Sequence, residues 1–66
     1  MKALEELREE NGLSLSKLTT ILNKRYTCDI KICQVWEWEN DHTKVSNEEA
    51  QILADYFQVS KDKFIK

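Results

Sequence analysis

Proline is absent from this chain of 66 residues, and glycine occurs once, at Gly12. That scarcity disfavours strands joined by glycine-rich turns and suits short helices with tight connections. Cysteine occurs only as Cys28 and Cys33, with no CxxC pair, and His42 is the single histidine. A structural zinc takes four ligands at recognisable spacing, so neither metal nor cofactor is expected. Nucleophile–histidine pairings and phosphate-cradling glycine loops are also missing, and the expectation is that the chain is not an enzyme. No apolar run approaches the ~20 residues of a membrane span, and none follows a basic leader. The reading is therefore a cytoplasmic protein with reduced thiols and no membrane partner.

What is present is enough for one domain with one small core, whose net stability is a few kcal/mol at most. The formal charge is −2, but it is unevenly spread. Residues 14–31 carry Lys17, Lys24, Arg25 and Lys31 against Asp29, a net +3. The segments on either side are acidic, with Glu5, Glu6, Glu9 and Glu10 before it and Glu37, Glu39, Asp41, Glu48 and Glu49 after it. A basic middle of this kind can present one positive face.

Apolar spacing predicts five short helices and no sheet. The first runs from about Lys2 to Glu10, with Leu4 and Leu7 inward and Asn11-Gly12 closing it. Ser14 is an N-cap for a second helix over about 15–23, with Leu18, Ile21 and Leu22 inward. Lys24 to Ile30 lacks a helical period and reads as a connection whose end could be extended. A third helix covers about 31–40, with Val35 and Trp38 inward. Ser46-Asn47-Glu48-Glu49 is a capping box opening a fourth helix, whose apolar period runs through Ala50, Leu53, Ala54 and Phe57. Ser60 can cap a final turn carrying Phe64 and Ile65.

Three islands of sequence carry a resemblance. They are Leu7-Arg8-Glu9-Glu10-Asn11-Gly12-Leu13-Ser14, Val35-Trp36-Glu37-Trp38-Glu39-Asn40, and Gln51 through Ser60 with its Leu53-Ala54 and Phe57. In this order they resemble the lambda-repressor-like (XRE, or Cro/repressor) helix-turn-helix family over nearly the whole chain. The resemblance implies an all-α, compact five-helix domain that binds double-stranded DNA as a transcriptional regulator or repressor of phage or mobile-element type. Its third helix would lie in the major groove, and phosphates would be held at helix N-termini and nearby polar groups. Carried over by position, Ser14 would meet phosphate at the start of the second helix. Lys31, Ile32, Cys33 and Gln34 would open the recognition helix, Glu37 would occupy its next outward turn, and Asn40, Thr43 and Lys44 would form a phosphate clamp after it. Two departures stand out. Asp41 replaces the usual closing glycine, which aspartate tolerates. The connection between the second and third helices is about six residues longer than a tight turn, and it would carry Lys24, Arg25 and Tyr26.

Other readings of single residues stay open. Lys17 and the Lys24-Arg25 pair serve either as phosphate contacts or as solvated charges. Trp36 either packs under the long connection beside Tyr26 or faces a partner, a position in which tryptophan is enriched. Cys28 and Cys33 read as small buried or half-buried residues, and His42 as a phosphate contact or an idle side chain. An alternative function is the same fold turned to protein binding, as an antagonist or co-regulator, through the apolar and acidic surface of the third helix. A homodimer would match a two-fold operator, although no segment declares itself as its interface.

Overall fold

The two serines predicted to begin helices do so by the same device. In a computed structural model that describes residues 2–64, Ser14 Oγ accepts from the Lys17 amide at 3.0 Å and Ser46 Oγ from the Glu49 amide at 3.2 Å. Each bond satisfies a donor that the first turn of a helix leaves without a partner. Glu49 returns the favour by accepting from the Ser46 amide at 2.9 Å, which completes the capping box. The helices are α1 (Lys2–Glu10), α2 (Leu15–Tyr26), α3 (Ile32–Glu39) and α4 (Asn47–Phe57). Among the described residues there is no strand.

Two expectations are corrected. The fifth helix is a single 3-10 turn, Lys61–Lys63, capped by Ser60 as expected; Phe64 is buried after it, and Ile65 lies outside the described residues. The second helix does not stop near residue 23 but continues through Lys24, Arg25 and Tyr26. Contacts with α4 hold this added turn. The Tyr26 hydroxyl donates to Asp55 at 2.6 Å, and the Arg25 guanidinium lies 5.9 Å above the Tyr56 ring. Local propensity is weak enough for such contacts to override it. The connection is thereby shortened to residues 27–31 and is not a strand. Asn23 pins it, accepting from the Ile30 amide at 2.7 Å and donating to the Ile30 carbonyl at 2.8 Å.

Helix ends are closed by left-handed residues. Gly12, at φ 66°, ends α1 in a Schellman motif, with the Leu13 amide on the Arg8 carbonyl and the Gly12 amide on that of Glu9. Asp41, at φ 59°, repeats the motif after α3, with the His42 amide on the Glu37 carbonyl at 2.9 Å. Thr27 and Gln58 take the same conformation after α2 and α4.

The core gathers Leu4, Leu18, Leu22, Val35, Trp38, Ala50, Leu53, Ala54 and Phe64 from every element, with Ile30 and Val45 from the connections. Leu7 and Phe57 pack on it half-buried, and Ile21 is half-buried rather than inside. α3 lies against both α1 and α2, and α4 against α2 and the 3-10 turn. No helix among the described residues is long and apolar enough to cross a membrane.

Candidate functional site

α3 divides cleanly into two faces. Val35, Trp38 and Glu39 are buried against the domain, whereas Ile32, Cys33 and Trp36 are exposed and Glu37 is half-buried. Positions 32, 33, 36 and 37 span about 140° of one side of an ideal helix. Among the described residues, Ile32 and Trp36, at 49% and 45% exposure, are the large apolar side chains that the fold leaves in solvent. Trp36 is therefore not packed beneath the connection beside Tyr26. Its ring instead meets the His42 imidazole at 5.0 Å between centroids, tilted by 43°. Cys33 is exposed rather than half-buried, while Cys28 is half-buried with its thiol on the Leu22 carbonyl and Asn23 Oδ1.

Polar groups at the two ends of α3 serve the helix itself. Gln34 Oε1 accepts from the Lys31 backbone amide at 2.9 Å, and Asn40 Nδ2 donates to the Trp36 carbonyl at 2.9 Å. The first satisfies the N-cap amide, and the second adds a bond to a carbonyl that the Asn40 backbone amide already meets at 3.0 Å. The side chains of Lys31, Asn40, Thr43 and Lys44 are exposed, so the start of α3 and the loop after it present cations and polar groups beside the apolar face.

The link between this face and the start of α2 is Arg8, whose part sequence reading missed. Its Nε and Nη2 donate to the two carboxylate oxygens of Glu39 at 2.7 and 3.1 Å, and its Nη1 donates to the Leu13 carbonyl at 2.8 Å. One planar guanidinium thus holds the residue before Ser14 and the residue before Asn40 within its own span. This fork geometry is what arginine offers to a carboxylate. The hydrogen bond to Glu39 raises the Arg8 pKa, opposed by desolvation and aided by the charges of Glu39, Glu9 and Glu5. A signal was available in the spacing: Arg8 falls four residues after buried Leu4, and Glu39 four after buried Val35, so each lies on an inward stripe.

The expected contact residues therefore separate into two groups. Ser14, Lys31 to Glu37 and Asn40 to Lys44 belong to segments that are contiguous or braced together by Arg8, and exposed Lys17 stands one turn into α2. Lys24, Arg25 and Tyr26 stand at the opposite end of α2, where Arg25 and Tyr26 are engaged with α4. Burial, and then the hydrogen bond to Asp55, raise the Tyr26 pKa above its ordinary 10.0.

No protein-family model, curated protein or solved structure matches the chain.

Proposed function

We propose that this chain is a helix-turn-helix DNA-binding regulator, with α2 and α3 as the motif and α3 as the recognition helix in the major groove. The observation that carries the reading is the Arg8 brace. It joins the first island of the family resemblance to the second through the Leu13 carbonyl and the Glu39 carboxylate. It also sets two polar segments of the kind that hold phosphate, the N-terminus of α2 at Ser14 and the loop of Asn40, Thr43 and Lys44, next to each other. An uncovered α3 face leading from Lys31 to that end of the helix suits a helix that positions itself on phosphates and reads base edges. Lys17, one turn into α2, adds charge on the same element, and a two-fold operator would call for two copies of the chain.

The test is fluorescence anisotropy of a labelled mixed-sequence duplex at low salt, with the salt then raised. Binding should weaken as salt displaces it from phosphates, and Lys44→Ala should weaken it across sequences and lower the salt slope by about one. The absence of binding at low salt, or binding indifferent to salt, would count against the reading.

A second reading has its own observation. The exposure of Ile32 and Trp36, on a chain of net charge −2, also fits a protein partner that buries an apolar helix face. Loss of a protein complex in Trp36→Ala, with no DNA binding in the wild type or in Lys44→Ala, would favour it.

A further inference from the structure

We infer that α3 reads the pyrimidine edges of its site, meeting thymine methyl groups with Ile32 and Trp36 and the cytosine amino group with Glu37. The inference rests on the DNA-binding reading and names what that surface recognises.

The outward face of α3 lacks the groups that read purines. Guanine is read in the major groove by arginine or lysine on O6 and N7, and adenine by asparagine or glutamine bonding both N6 and N7. Positions 32, 33, 36 and 37 hold isoleucine, cysteine, tryptophan and glutamate. The Gln34 amide is committed through its oxygen to the Lys31 backbone, and two-point pairing with adenine needs both the oxygen and the nitrogen of one amide. Asn40 stands past the last turn of α3, as its C-cap, with one Nδ2 hydrogen on the Trp36 carbonyl. Lys31, at the N-cap, is the single cation from residue 31 to residue 40, and one ammonium serves a phosphate as well as a base.

What remains matches pyrimidines. The thymine C5-methyl is the apolar group displayed in the major groove, and cytosine N4 is a donor for a carboxylate. Ile32 and Trp36 are one helical turn apart and both exposed, which gives two adjacent apolar surfaces for methyl groups. The Glu37 carboxylate would meet the acceptors of guanine and thymine with repulsion. Its negative charge therefore selects by exclusion as well as by its bond to cytosine.

The experiment selects binders from a random-sequence duplex pool, then remakes the enriched duplex with deoxyuridine in place of thymidine. Only the C5-methyl is removed. The wild type should lose about fourfold in affinity for each methyl that Ile32 or Trp36 covers. Ile32→Ala and Trp36→Ala should bind the thymidine duplex more weakly and discriminate less against deoxyuridine. Both residues are exposed, so circular dichroism should show these variants folded. Glu37→Gln should relax the requirement for cytosine at one position and admit adenine there. Enrichment followed by wild-type binding indifferent to deoxyuridine would overturn the inference and leave the DNA-binding reading standing. Failure to enrich any sequence, with no salt-sensitive binding to the pool, would remove both.

Discussion

Arg8 makes three hydrogen bonds from one side chain, two to a Glu39 carboxylate whose side chain is only 3% exposed. Removing one partner of a buried ion pair typically costs about 3 kcal/mol or more, because the other charge stays behind. A domain this size rarely has more than about 3–5 kcal/mol in total. Arg8→Met should therefore leave the chain largely unfolded at room temperature, as read by circular dichroism and urea titration. The double variant Arg8→Met with Glu39→Leu should recover much of the loss, since apolar replacement of both partners removes the stranded charge. Thr27 is the reverse case. A β-branched residue at φ 51° bears the steric cost of the left-handed region. Thr27→Gly should raise stability by about 1 kcal/mol, seen as a higher melting temperature. Tyr26 sets a pH dependence. Its raised pKa means that the folded chain keeps the phenolic proton after the unfolded chain has lost it. Stability from this group is therefore intact below about pH 10, the unfolded value, and is lost as pH rises through the folded one. Melts above that pH should show a steeper alkaline decline for the wild type than for Tyr26→Phe.

Among the elements, the caps were legible in sequence because they depend on a few adjacent atoms. The Ser14 and Ser46 hydroxyls and the Glu49 carboxylate act within three residues of their own position. Gly12 and Asp41 end α1 and α3 for equally local reasons. Ser46→Ala should cost about 1 kcal/mol, measured by thermal unfolding. The end of α2 was not legible, because the contacts that extend it come from Asp55 and Tyr56, about thirty residues away. The same holds for the site. The outward stripe of α3 could be read from its period, as could the inward Val35 and Trp38. Trp36 could not be assigned, because it sits one step from the buried stripe and its neighbour, His42, is placed by the Schellman turn at Asp41. Arg8 was hidden for a different reason. A charged residue on an inward stripe looks solvated until the opposite charge that buries with it is known.

At the scale of the molecule, the five elements of the described residues enclose one core around Leu4, Leu18, Leu22, Val35, Trp38 and Leu53, and Ile32, Cys33 and Trp36 of α3 stay outside it. Ile32 and Trp36 are half exposed on that side, so the fold does not depend on burying them and the surface is available to a partner. The proposal at stake is that this surface, together with the Ser14 cap and the Asn40–Lys44 loop, seats on duplex DNA. The most direct test is a titration of isotope-labelled protein with a short mixed-sequence duplex at low salt, following backbone amide shifts in two-dimensional NMR spectra. Shifts should concentrate at Ser14 to Lys17, Lys31 to Glu37 and Asn40 to Lys44, and should reverse as salt is added. Unmoved amides throughout α3, or shifts confined to α4 and the 3-10 turn, would contradict the proposal.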